Sequence, residues 1–395
     1  MSTPSLVWTR AVLTPGAVVF ALLFALDSMA RASLATVIPL VALRVLGNAR
    51  DVSILFSAVG WVGVGLSLFI PPMVRRYRPR WVYTTGAGLL VVAPLLLAFD
   101  TLPGLAGGML ARVFAGACLL NALNLYIMAY IRKRDMARSE PLRTFFAAFA
   151  WTTGPFLGVW LYSSVSPWAT YLLSGGCAVL LIAYFWRLRM EYGPALPAHE
   201  PARTSPAANI RRFLAQPRLR LAWVLNFGRE TWWAMFFIYG PLYMVTRGMS
   251  ETAGAALVSC GTFLLFTTPA MGWLGRRIGL RRFMMGAFLL MAAATLTAAL
   301  MADRPAYVAA SLLVAALGVV ALDSVCVVPF MRAVKARERP EMTMVFSMYR
   351  DLAGLVPTAI FAALLSFFDL GSVFAATALG LAACAWLARW IPRGM

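Results

Sequence analysis

Apolar segments of about twenty residues recur along the whole chain, and this recurrence constrains the fold more than any motif does. An α-helix rises about 1.5 Å per residue, so roughly 20 apolar residues cross a hydrocarbon core of roughly 30 Å. Six such segments precede the stretch from Arg187 to Arg220 and six follow it. That stretch is polar and basic, and it carries Pro194, Pro197, Pro201, Pro206 and Pro217. The pattern predicts an all-α integral membrane protein with twelve transmembrane helices in two six-helix bundles, at residues 1–186 and 219–395, joined by a cytoplasmic linker loop at 187–218. A soluble fold is excluded because 61% of the 395 residues are hydrophobic and only 13% are charged, too few to cover a water-facing surface.

A net charge of +20 could suggest nucleic acid, but its placement argues against that. Lys and Arg gather at the termini and in every second loop, while the alternate loops hold only Arg44, Arg50, Arg247 and Arg304. Positive charge on one side of a bilayer marks the cytoplasmic face. Both termini are therefore expected in the cytoplasm, with the chain in the inner (plasma) membrane as a monomer. Its expected partners are the lipid bilayer, protons and a small-molecule substrate, and no nucleic acid. Cys118, Cys177, Cys260, Cys326 and Cys384 fall inside apolar segments without disulfide or metal spacing, and the single histidine, His199, sits in the central linker. No metal, no cofactor and no enzymatic activity are expected.

Charges inside apolar segments are costly and mark function or pairing. In span 1, Asp27 and Arg31 stand one helical turn apart on one face. They form either a self-neutralising pair or a titratable carboxylate beside a cation. Arg112 in span 4 lies about 10 Å in from its end, with Asn121 and Asn124 deeper, so an Asp27–Arg112 contact is geometrically possible. Span 7 carries Arg229 and Glu230. Span 10 carries Asp323, and span 11 carries Arg350 and Asp351. Similar depths predict an Asp323–Arg350 pair, leaving Asp351 to meet Arg229.

Arg229, Trp232, Phe236, Tyr239 and Tyr243 are spaced 3, 4, 3 and 4, which sets them in one stripe on span 7. The stripe is either packed or lipid-facing, or it lines a cavity for an aromatic or amphiphilic substrate. In span 5, Gly154-Pro155-x-x-Gly158 permits a bend or a close helix approach.

The chain resembles the major facilitator superfamily over nearly its whole length. Gly272-x-Leu274-Gly275-Arg276-Arg277-x-Gly279 is similar to that family's loop motif between spans 8 and 9. Gly154-Pro155-x-x-Gly158 resembles the span-5 motif of its antiporters, and Arg112 with Gly116 its span-4 motif. Two departures stand out: Gly275 occupies a place where an aspartate is usual, and the loop from Pro71 to Arg80 lacks the family's glycine and aspartate. The resemblance implies inverted repeats, with spans 1, 4, 7 and 10 lining a central cavity. It also implies secondary active transport of a small organic solute by alternating access, with the proton gradient as energy source. The antiporter-like motif favours efflux over import. On this reading Asp27 is the first candidate for proton carrier, with Arg31 and Arg112 beside it, and Glu230 is the second. Asn124, Arg229, Trp232, Phe236, Tyr239 and Asp323 are the candidate substrate contacts. The two glycine motifs, with Arg350 and Asp351, are candidate structural or gating elements.

Overall fold

The computed structural model describes residues 17–67, 69–70, 73, 76–130, 133–188, 206–335 and 338–392. Part of the expected linker, including His199, and part of the basic loop at 71–80 lie outside the described residues. The described residues form helices and turns throughout. They are α1 (Ala17–Ala35), α2 (Val37–Leu46), α3 (Ala49–Ser67), α4 (Pro79–Leu97), α5 (Leu102–Tyr130), α6 (Lys133–Ser164), α7 (Pro167–Arg187) and α8 (Pro206–Leu214). There follow α9 (Pro217–Thr246), α10 (Glu251–Phe263), a short 3-10 turn (Leu264–Thr267), α11 (Thr268–Ile278), α12 (Leu280–Leu300), α13 (Pro305–Asp323), α14 (Val328–Ala333), α15 (Arg339–Leu364) and α16 (Gly371–Ala388).

Among the described residues nine segments are long and apolar enough to cross a bilayer, counting α1–α2, α10–α11 and α13–α14 each as one broken span. The remaining three spans are α6, α9 and α15, of 32, 30 and 26 residues, which are more than long enough but carry more polar residues. Two of these, α9 and α15, hold Arg229–Glu230 and Arg350–Asp351. The membrane helices that test weakest for hydrophobicity are thus partly those with the most chemistry.

The chain divides into two compact units, Met1–Val37 with Val62–Ala198, and Ile38–Trp61 with His199–Met395. In the first unit α1 packs on α6 and α7, and α4 packs on α5 and α7. In the second, α9 packs on α15 and α16, and α12 packs on α13 and α16. In span numbers, the contacts 1·5, 1·6, 3·4 and 3·6 recur as 7·11, 7·12, 9·10 and 9·12. The two units therefore repeat one packing plan. The second unit also includes the segment 38–61, held by Arg44 to Glu251 at 3.0 Å and by the Tyr239 hydroxyl to Ser53 Oγ at 2.7 Å.

Between helices in lipid the driving force is close packing, so small residues at the crossings matter more than large ones. The span-5 motif does this work. A Cβ on Gly154 would overlap Ala32, and one on Gly158 would collide with the backbone carbonyl of Ser33. Hydroxyls bind the same crossing: Thr170 donates to the Gly158 carbonyl at 2.6 Å, and Ser174 to the Ala30 carbonyl at 2.7 Å. The motif is a contact between α1 and α6. In the second motif Gly279 takes φ 92°, a left-handed conformation that favours glycine, at the junction of α11 and α12. Gly275 explains its own departure from the family pattern, because even a Cβ there would stand 3.1 Å from Phe283 and from Val325. An aspartate would not fit without moving one of them. Arg277 instead lies over the Trp273 ring at 4.0 Å, on the exposed side of α11.

Gly158→Ala is expected to destabilise the purified protein by about 1–3 kcal/mol through overpacking against Ser33. Gly176→Ala on the neighbouring α7, where a Cβ meets nothing within 4 Å, should stay within about 0.5 kcal/mol of the parent. Thermal unfolding in detergent compares the two, and equal shifts would remove the close-crossing account.

Candidate functional site

Each unit gathers its buried charge where its first and fourth spans meet. In the first unit Asp27 is 4% exposed, and Arg31 grips it from the next turn. Nε of Arg31 donates to Oδ1 at 2.9 Å and Nη2 donates to Oδ2 at 2.6 Å. This fork satisfies both carboxylate oxygens, the strongest form of such a pair. Arg112 on α5 does not reach Asp27. Its Nη2 donates to the backbone carbonyl of Arg31, and its buried Nε has no partner. The self-neutralising pair is therefore the arrangement present, and the Asp27–Arg112 contact is not formed. Gly116, one turn beyond Arg112, leaves room for the Arg31 guanidinium, 3.5 Å from where its Cβ would lie.

In the second unit Arg229 on α9 is 8% exposed and is shared by two carboxylates. Its Nη1 donates to Oδ1 of Asp323 on α13, and its Nη2 reaches Glu230 Oε2 at 2.7 Å. The same Nη2 lies 3.4 Å from the Tyr349 hydroxyl of α15. Trp233 Nε1 donates to the other oxygen of Asp323 at 3.1 Å. Asp323 closes α13 at its C-terminal end, where the helix dipole disfavours a negative charge. Arg229 and Trp233 offset that penalty. The span then breaks over residues 324–327, and Pro329 sits in the first turn of α14, where its missing N–H does no harm. Asn226 Nδ2 holds the break by donating to the Cys326 carbonyl at 2.8 Å and to the Ala222 carbonyl at 2.8 Å.

The predicted Asp323–Arg350 and Asp351–Arg229 pairs are not formed. Asp323 has taken Arg229. Arg350 and Asp351 are both exposed on α15, and Arg350 Nε donates to the Tyr349 hydroxyl at 3.2 Å. Equal depth along two helices does not put side chains on facing sides, which is why the sequence misassigned them. The aromatic stripe is also corrected as a cavity wall. Trp232, Phe236, Tyr239 and Tyr243 are each 0% exposed. Trp232 stacks on Phe236 at 4.9 Å and donates to Thr295 at 3.0 Å, while Tyr243 donates to the Ala302 carbonyl at 2.5 Å. The stripe is the core of the second unit. Asn124 is exposed, about 18 Å along α5 from Arg112 at 1.5 Å per residue.

Three contributors are absent from the candidate site residues read from the sequence: Asn226, Trp233 and Tyr349. Asn226, Arg229 and Trp233 are spaced 3 and 4, so they share one helical face, adjacent to the aromatic one. That polar face was available as a signal, but the longer aromatic run beside it masked it. Tyr349 carried none beyond its place next to Arg350.

Broken apolar spans with charge clustered where helices meet are the architecture of a multi-pass membrane protein. Residues 20–356 match the Major Facilitator Superfamily, and the chain belongs to that family. No curated protein matches the sequence. Solved structures of the same fold include the nucleoside transporter NupG, with TM-score 0.69, 13% identity, and 94% of this chain and 98% of that one covered. The peptide transporter POT in complex with sulfate superposes with TM-score 0.71 at 13% identity, over 95% and 94% of the two chains. PepTSo, of the POT family, reaches 0.73 at 8% identity, over 96% and 97%. At these identities the likeness is one of fold.

Removing one partner of a buried pair leaves a lone charge and costs about 3–5 kcal/mol, whereas removing the pair together costs less. Arg229→Gln strands two carboxylates and should lower stability most, by about that amount. Asp323→Asn, which leaves Arg229 with Glu230, should cost less, and the double variant should recover part of the Arg229→Gln loss. Thermal unfolding of the purified variants decides it. A double variant no more stable than Arg229→Gln would contradict the shared-arginine arrangement.

Proposed function

We propose that the protein is a proton-coupled secondary transporter that moves a small organic solute by alternating access, in the efflux direction. One observation carries the reading: Glu230 and Asp323 share a single arginine. Arg229 is divided between the two carboxylates, and the charge of Arg350 on α15 also acts on Glu230. Neutralising one carboxylate therefore leaves the guanidinium paired with the other. Glu230 is the more exposed of the two, at 29% of its side chain against 15% for Asp323. Asp323, anchored by Arg229 and Trp233, is the fixed member, and Glu230 is the exchanging one.

This inverts the order read from sequence. Both oxygens of Asp27 are already engaged by Arg31, so protonating it breaks a two-bond fork. Protonating Glu230 leaves Arg229 still paired with Asp323. A carboxylate that gains a proton releases the guanidinium it held, which is the elementary switch a coupled carrier needs. The efflux direction rests on the span-5 glycine–proline motif alone. The loop-charge asymmetry supports both termini in the cytoplasm, and the plasma membrane is the location we assign. The energy source is the proton gradient, and no cofactor is invoked.

Proteoliposomes with an imposed pH gradient, screened against labelled organic solutes, test the reading. The intact protein should move solute against its own gradient, in the direction opposite to proton flow. Glu230→Gln should abolish that accumulation while gradient-free exchange continues. Accumulation along the direction of proton flow would make the protein an importer. Accumulation that survives Glu230→Gln would contradict the assigned carrier.

A further inference from the structure

The second unit contains a cavity of about 470 Å³ between α14 and α15. It touches the Arg229 cluster only through Tyr349. Phe330 and Phe346, 4% and 5% exposed, form its floor, their rings stacked at 3.9 Å. Exposed Met331, Ser347 and Arg350 form its rim. The volume falls within the range of small-molecule sites, roughly 300–1,000 Å³, and the lining has their usual character, apolar and aromatic with a few polar groups.

Arg350 is the charged residue of that lining. It lies eleven residues into the 26-residue α15, about 16 Å along it, and so well within the span. No carboxylate among the described residues forms a direct ion pair with it; Glu230 and the neighbouring Asp351 act on it only through longer-range charge. Its hydrogen-bond partner is the neutral Tyr349 hydroxyl at 3.2 Å. A cation held at that depth without a direct ion pair is costly unless it faces water or a ligand. Aromatic floor, a guanidinium without a direct ion pair and a half-open volume thus ask for one kind of occupant.

We propose that this cavity binds a small organic anion, a carboxylate on an aromatic or compact apolar body. The carboxylate pairs with Arg350, in reach of the Tyr349 hydroxyl, and the apolar body lies over Phe330 and Phe346. A neutral analogue leaves Arg350 unpaired, and a cation is repelled by it. That this anion is the transported solute rests on the transporter reading above; the binding itself does not.

Titration calorimetry on the full-length protein in detergent, at one pH and without a gradient, tests the site. The probes are 3-phenylpropanoate, its primary amide and decanoate. The phenyl acid should bind at least about tenfold more tightly than the amide, the difference a charge-assisted pair makes. Arg350→Gln should lower acid affinity to that of the amide and leave the amide unchanged, while Arg350→Lys keeps part of the preference. Ser347→Trp, which fills the rim from an exposed position without touching the cation, should abolish binding of both. Should Arg350→Gln fail to fold, the acid–amide comparison on the parent protein and Ser347→Trp carry the test. Equal affinity for acid and amide, or no binding of either, would overturn the proposal. Binding of decanoate alone would overturn it too, by assigning the cavity to a membrane lipid. Because no gradient is present, such a failure removes this site and leaves the proton-coupling reading standing; failure of coupling in proteoliposomes leaves the site standing.

Discussion

Arg229, divided between Asp323 and Glu230, is the interaction on which the second unit depends. Three helices meet there: α9 supplies the arginine, Glu230, Trp233 and Asn226; α13 ends on Asp323; α15 adds Tyr349. Without the arginine, two partly buried carboxylates would be left without their shared partner, and Asp323 would also stand unsupported at the negative end of its helix. With it, the helix can stop at Asp323, turn, and restart at α14. Asn226 holds the Cys326 carbonyl across that break. Span 10 is broken where its charge sits, a design that places backbone and side-chain polarity together at depth.

The first unit repeats the plan with the signs rearranged. Its first span carries the pair Asp27–Arg31, and its fourth contributes Arg112, as spans 7 and 10 do in the second unit. In both, an arginine joins the first and fourth spans: Arg112 to the carbonyl of Arg31, and Arg229 to Asp323. The balance differs. Two arginines face one aspartate in the first unit, and one arginine faces two carboxylates in the second. The guanidinium with two carboxylates to choose between falls in the second unit. Around both sites the packing is set by small residues. The Ala32–Ser33 backbone against Gly154 and Gly158 shows how tightly the helices must approach for those few polar groups to meet.

Much of this fold was legible in the sequence because membrane spans obey a length rule and a charge rule at once. The spans, the broad family and the Arg229–Glu230 pair follow from runs of apolar residues and from charges inside them. Asp27 and Arg31 were legible as partners because four residues separate them on one helix. Partners on different helices were not. Asp323 was assigned to Arg350 by depth, but pairing requires facing sides as well, and helix rotation is set by packing that the sequence does not display. The stripe from Trp232 to Tyr243 failed for a related reason. An aromatic face suits a ligand and a helix equally, and here Phe288, Thr295 and Phe374 of the same unit belong to the core it packs into. Gly275 shows the reverse. It reads as a missing aspartate in the motif, and only the nearness of Phe283 and Val325 explains the choice.

The most direct test of the account is a count of titrating carboxyl groups in the membrane interior, independent of any substrate. Infrared difference spectra of the purified protein, recorded across pH in lipid, report the carbonyl band of a protonated carboxylic acid. The account predicts a titrating band that disappears in Glu230→Gln and persists in Asp27→Asn. A band that survives Glu230→Gln and is lost in Asp27→Asn would contradict it, and would return the proton to the first unit.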